Sequence, residues 1–142
     1  MKFMPFTLQI NEEVSEKEAS TLLQGINKGA YAAKHMAPIR SFGIFIKDEK
    51  ENIKGGLHGV TYYGCLYVDM LWIDKPLRNQ GWGTRLMTES EKVAKERNCT
   101  FLTVTTMDWE AFPFYQKLGY HVEFIREGYE KQSKMYFLRK NL

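Results

Sequence analysis

The chain has 142 residues and a mass of 16.7 kDa, enough to bury one core and too few for two ordinary domains. Lys and Arg number 20 against 17 Asp and Glu, a net charge of +3, with 44% hydrophobic and 26% charged residues, a balance that excludes a disordered tail. Acidic and basic residues alternate, as in Lys47-Asp48-Glu49-Lys50-Glu51, which speaks against a nucleic-acid partner and leaves room for a small anionic ligand. No stretch approaches the roughly 18 apolar residues of a membrane span. No apolar segment of signal-peptide length precedes Asn11-Glu12-Glu13, so the chain reads as one cytoplasmic domain, 1–142, without a membrane partner. Cys65 and Cys99 form no C-x-x-C pair and are expected as reduced, buried thiols; His35, His58 and His121 form no spaced ligand set, and no metal is expected.

Residues 6–10 alternate apolar and polar side chains like a short strand, and Ser15-x-x-Glu18 has the form of a capping box opening a helix to about Gly25. Residues 29–38 are helical or irregular and end at Pro38. Three segments rich in β-formers follow, 41–47, 53–63 and 65–74, and their short connections predict antiparallel neighbours. Gly55, Gly56 and Gly59 suggest a bulge or a close backbone approach in the middle one. Residues 81–98 carry a helical stripe of Leu86, Met87, Val93 and Ala94. The β-rich run 100–106 then completes a strand, helix, strand order that predicts a right-handed crossover between parallel strands. A second helix is centred on 112–118; Pro113 belongs in its first turn and Gly119 ends it. Residues 122–125 and 135–138 close the sheet as a terminal pair.

The chemistry concentrates in the segment 71–84, which runs from a strand through Arg78-Asn79-Gln80-Gly81-Trp82-Gly83-Thr84 into a helix. Unpaired amides at a helix N-terminus favour an anion, glycine lets it approach, and Arg78 adds a permanent charge. No G-x-x-x-x-G-K-[ST] loop occurs, and Leu86 stands where a dinucleotide fingerprint needs its third glycine, so both nucleotide readings weaken.

Arg78-x-x-Gly81-x-Gly83 after a strand resembles the R/Q-x-x-G-x-G/A motif of the GCN5-related N-acetyltransferases, the GNAT superfamily. The run Asp108-Trp109-Glu110-Ala111-Phe112-Pro113-Phe114-Tyr115-Gln116-Lys117-Leu118-Gly119-Tyr120 is similar to a second motif of that family, N-x-x-A-x-x-F-Y-x-K-x-G-F, in the matching order and separation. The resemblance implies an α/β (α+β) fold: a central mixed, mostly antiparallel sheet with a splayed parallel strand pair, flanked by helices on both faces. It implies acetyl-CoA as donor. The pantetheine arm would lie along the strand holding Leu71, Trp72 and Ile73, and the pyrophosphate on the loop from Arg78, Asn79 and Gln80 to the amides of Gly81, Trp82, Gly83 and Thr84. Asp108, Phe114 and Lys117 would complete the donor site, although Asp108 replaces a family Asn and offers no donor.

The same resemblance makes Tyr115 the proton donor to the departing thiolate, a role suited to a phenol that stays protonated at neutral pH. A neutral amine must attack the thioester, so a base is needed. Asp69 is the leading candidate, because along an undistorted strand it shares a face with Leu71 and Ile73; a bulge would flip that parity. Glu110, Glu123, His58 and an ordered water are the alternatives. Tyr31, His35, Trp72, Trp109, Glu110 and Tyr129 are candidates for the acceptor pocket, and rings mixed with carboxylates suit a small cationic amine. The expected activity is N-acetyl transfer to such an amine by a monomer or homodimer. The rivals are a catalytically silent acyl-CoA-binding or interaction module and a protein N-terminal or lysine acetyltransferase.

Overall fold

The computed structural model describes residues 5–142, which form two compact units, one up to Pro38 and one from Ile39 onward. In the first unit, α1 spans Glu16–Lys34. The capping box is formed in full: Ser15 Oγ accepts the Glu18 amide at 3.0 Å and Glu18 accepts the Ser15 amide at 2.9 Å. The helix continues through Gly25 and Gly29, beyond the expected end, and stops where His35 turns left-handed at φ 55° with its amide on the Tyr31 carbonyl. Residues 6–10 form no strand. A strand exists by pairing, and no other strand among the described residues takes up this segment.

The second unit is built on a six-stranded sheet: β1 (Arg40–Lys47), β2 (Ile53–Tyr62), β3 (Cys65–Ile73), β4 (Phe101–Met107), β5 (His121–Tyr129) and β6 (Ser133–Asn141). Its spatial order is β1-β2-β3-β4-β6-β5, with β3 and β4 parallel and every other neighbouring pair antiparallel. This is the mixed, mostly antiparallel sheet that the sequence predicts. The crossover from β3 to β4 is made by α2 (Trp82–Glu96), and the connection from β4 to β5 by the short α3 (Phe112–Lys117). Pro113 sits in the first turn of α3, where its missing amide costs nothing.

Strand alternation and helical spacing converge on one core. β2 buries Leu57 and Thr61, and β4 buries Leu102, Val104 and Thr106. From α2 come Leu86, Met87 and Ala94, with Ser90 donating its buried hydroxyl to the Met87 carbonyl at 2.6 Å. Both cysteines are buried and free, and burial pushes both thiols up. Among the described residues, no helix is long and apolar enough to cross a membrane.

Two irregularities in β3 shape everything that follows. Gly59 pairs with Val68 and His58 with Met70, which leaves Asp69 as an extra residue bulged out of β3, next to the glycine-rich strand that suggested such a feature. The parallel ladder between β3 and β4 runs only from Cys65–Phe101 to Val68–Val104. From the bulge onward the two strands splay.

Candidate active site: a splayed strand pair beside an amide-rich turn

Among the described residues, the edge of β3 beyond Val68 that would face β4 has no strand partner, so its backbone groups are available to an extended, amide-bearing ligand that adds itself as a strand. Opposite this edge a cleft of about 750 Å³ opens. Its walls are Leu71, Trp72 and Ile73 of β3, Leu77 to Asn79 and Gly81 to Thr84 of the following loop, and Glu110, Ala111, Pro113 and Phe114 at α3. A volume of this size is typical of a small-molecule or cofactor site.

The loop is held from below. Asp74 caps a short 3₁₀ turn, Lys75–Leu77, by accepting the Lys75 amide at 3.0 Å, and its own amide donates to the Lys54 carbonyl at 2.8 Å. Arg78 donates Nε to the Ile73 carbonyl at 2.9 Å, tying its guanidinium to the end of β3, and Gln80 donates to the Pro76 carbonyl at 3.0 Å. Gly81 then takes φ 84° as the N-cap of α2, a conformation that L residues avoid, and no side chain caps the helix there. The first helical bond is Arg85 to the Gly81 carbonyl, so the amides of Trp82, Gly83 and Thr84 have no carbonyl above them within the helix. Three outward amides, the positive end of α2 and Arg78 make an anion-binding corner. Arg85 lies over the ring of Trp82, a wall of the cleft, at 4.5 Å.

On the opposite wall, Glu110 lines the cleft while one of its oxygens accepts the Met107 amide at 2.9 Å. Asp108 does not line the cleft: its carboxylate accepts the Lys134 amide at 3.3 Å and its amide returns a bond to the Lys134 carbonyl at 2.9 Å, so it pins this loop to β6. Trp109 is exposed, with its indole N–H on Ser133 at 3.1 Å. Lys117 is exposed at the end of α3. Tyr129 donates its hydroxyl to the Met135 sulfur at 3.5 Å. Tyr31 and His35 belong to the first unit, where their rings meet edge-on at 4.9 Å.

Tyr115 follows Phe114 but is only 5% exposed, packed against the Phe114 and Tyr120 rings, and is not itself a wall of the cleft. Its hydroxyl is pushed up to about 12, first by burial and then by the charge of Glu110, so it holds its proton firmly at neutral pH. Asp69 is placed differently from the parity argument. The bulge takes it out of step with Leu71 and Ile73, and its carboxylate meets His58 Nδ1 at 2.6 Å. Leu77, Ala111 and Pro113 line the cleft without having been singled out in the sequence; the first precedes the glycine turn and the other two sit inside the second motif.

Residues 11–120 match the acetyltransferase (GNAT) family. The chain belongs to that family. It is 32% identical over 106 residues to the blasticidin-S acetyltransferase of Streptomyces morookaense, which covers 74% of this chain and 78% of that protein. Among solved structures, an acetyltransferase from Bacillus cereus superposes with a TM-score of 0.75 at 26% identity, over 94% of this chain and 98% of that one. A GNAT family acetyltransferase from Elizabethkingia anophelis with acetyl-CoA bound shares the fold, with a TM-score of 0.63 at 18% identity over 81% of each chain. The splayed sheet that the two motifs implied is therefore the GNAT sheet.

Proposed function

We propose that this GNAT protein transfers an acetyl group from acetyl-CoA to the primary amine of a small cationic molecule by direct attack in a ternary complex, with residues 1–142 acting as one acetyltransferase domain. The observation that carries this reading is the unpaired edge of β3 beyond Val68, lying beside the amides and guanidinium of the Arg78–Thr84 turn. The donor has matching parts: a pantetheine arm with two amides for the strand edge and a pyrophosphate for the corner. Family membership and the acetyl-CoA held by a protein of the same fold support that donor.

Charge and relatives support the acceptor class. Carboxylates at Asp69 and Glu110, with the half-exposed ring of Trp72, attract and hold a cation near the cleft. The relative from Streptomyces morookaense is named for a small antibiotic. In the reaction, the neutral amine attacks the thioester carbonyl, and the C–S bond breaks as the adduct collapses. Tyr115, held protonated, supplies the proton to the thiolate. The base function lies at the Asp69 bulge of β3, where its carboxylate meets His58 of β2.

Incubation with acetyl-CoA and a panel of amines, read as free thiol, tests the proposal. Blasticidin S, spermidine, an aminoglycoside and a peptide with a free N-terminus form the panel. Thiol release that requires a small amine is expected. Tight acetyl-CoA binding with no release for any amine would leave a silent CoA-binding module, and release with the peptide alone would move the acceptor to protein.

A further inference from the structure

The β3 bulge does more than present a carboxylate. Asp69 Oδ1 lies 2.6 Å from Nδ1 of His58 on the neighbouring strand β2. The two side chains are 38% and 33% exposed, so the pair is reachable without being freely solvated. A carboxylate offers only acceptors, so the proton of this bond sits on Nδ1, and the lone pair of the neutral ring is left on Nε2. The pair also stands at a particular place in the sheet. Val68–Val104 is the last rung of the parallel ladder, Asp69 is the next residue, and the cleft wall begins two residues later at Leu71.

We infer that His58 Nε2 is the proton acceptor for the substrate amine and that Asp69 is a positioning residue, fixing the ring and its tautomer. This rests on the acetyltransfer reading above. The substrate ammonium gives one proton to Nε2, and its freed lone pair forms the C–N bond to the thioester carbon. The C–S bond then breaks with its electron pair going to sulfur. Tyr115 protonates that sulfur and recovers a proton from the new amide nitrogen. His58 finally releases its proton to solvent, so one ammonium, one thioester and no other reactant yield amide, CoA thiol and one proton.

Within the second unit, few charges compete for the imidazole. Strand β1 sets Gly43 opposite His58, with Ser41 and Phe45 flanking it on that face. Along β2 the same face continues with Gly56 and Val60, and Lys54 and Tyr62 follow four residues to either side. From β3 come Asp69, Met70 opposite His58, and Tyr67, whose hydroxyl is engaged with Thr105 at 3.3 Å. Asp69 is thus the carboxylate that this sheet sets against the ring, and by accepting from Nδ1 it fixes the tautomer that leaves the Nε2 lone pair free.

Steady-state rates against pH for wild type, His58→Gln, His58→Ala and Asp69→Asn test the inference, using the amine that wild type acetylates fastest. Folding is checked by circular dichroism and by the acetyl-CoA thermal shift. His58→Gln is expected to lose about 10²-fold in kcat, the low end for a general base, with KM for acetyl-CoA retained. It should also lose the rising limb that deprotonation of an imidazole gives. Asp69→Asn should lower kcat with KM for acetyl-CoA retained, as expected of a residue that only orients the ring, and added imidazole should restore part of the rate of His58→Ala. A folded His58→Gln that keeps kcat within threefold and keeps the limb overturns the inference while acetyl transfer stands. A wild type that acetylates no amine of the panel overturns both.

Discussion

Replacing Gly81 with alanine separates the two things this residue does. Its φ of 84° lies in the left-handed region, and a Cβ built there meets nothing within 4 Å, so the whole penalty is backbone strain and none is a clash. An L residue in that region costs about 1–2 kcal/mol, and alanine returns part of it by restricting the unfolded chain. A net loss of about 1 kcal/mol lowers Tm by roughly 4 °C in a protein of this size. Gly64, at φ 85° in the β2–β3 turn and equally open, would impose the same strain on an alanine at the other end of β3 from the Arg78–Thr84 turn. Thermal melts followed by circular dichroism should therefore place Gly81→Ala and Gly64→Ala together, a few degrees below wild type. Acetyl-CoA should distinguish them. The strained loop re-aims the amides of Trp82 to Thr84, so the ligand-induced rise in Tm should shrink for Gly81→Ala and persist for Gly64→Ala. Equal ligand shifts in both variants would refute the assignment of the anion corner to this turn.

Three further outcomes follow from the tyrosines. If Tyr115 is the proton donor of the proposed reaction, Tyr115→Phe should slow turnover by about 10²-fold, measured as thiol release, and leave the acetyl-CoA thermal shift intact. Tyr120 is 3% exposed and its hydroxyl is buried with no partner among the described residues, so Tyr120→Phe should raise stability by about 1 kcal/mol in urea titration. Burial raises both Tyr115 and Tyr120 above the usual phenol value. Above about pH 10 the unfolded chain releases these protons while the folded one keeps them, so the folded state binds more protons and loses stability as pH rises. Urea midpoints should accordingly fall between about pH 10 and pH 12, and Tyr120→Phe should reduce that fall.

The legible parts of the molecule were those where local chemistry decides. Ser15 and Glu18 announced the start of α1, Pro113 the first turn of α3, and the spacing of Leu86, Met87 and Ala94 the buried stripe of α2. The end of α1 expected at about Gly25 did not come, and the helix runs on through Gly29 as well. Each glycine costs about 1 kcal/mol in a helix, an amount that good formers such as Ala30, Ala32 and Ala33 offset. The strand expected over 6–10 shows the opposite limit, since alternation describes a face and pairing needs a partner.

At the site, both motifs led to the cleft walls, because Arg78, Gly81, Gly83 and Phe114 are placed there by backbone geometry fixed within a few residues. Asp69 was expected to share a face with Leu71 and Ile73 on an undistorted strand, and the bulge takes it out of step with them. Its bulge is a property of the register between β2 and β3, as is its meeting with His58 eleven positions earlier. Asp108 was read against a motif position, yet it serves β6, which approaches only after the chain has folded back. The burial of Tyr115 is likewise set by Tyr120 and the sheet beneath it, beyond what an F-Y pair on a helix reveals.

Binding of acetyl-CoA to wild type and to Arg78→Ala, compared by calorimetry, tests the central claim most directly. The cleft between the splayed strands predicts a single site on wild type, seen also as a stabilisation of about 2.7 kcal/mol at 100 times Kd. It predicts affinity reduced at least tenfold in the variant, since a charge-assisted bond to phosphate contributes about 1.5–3 kcal/mol. No binding by the wild type at millimolar acetyl-CoA, or equal binding by both proteins, would contradict it.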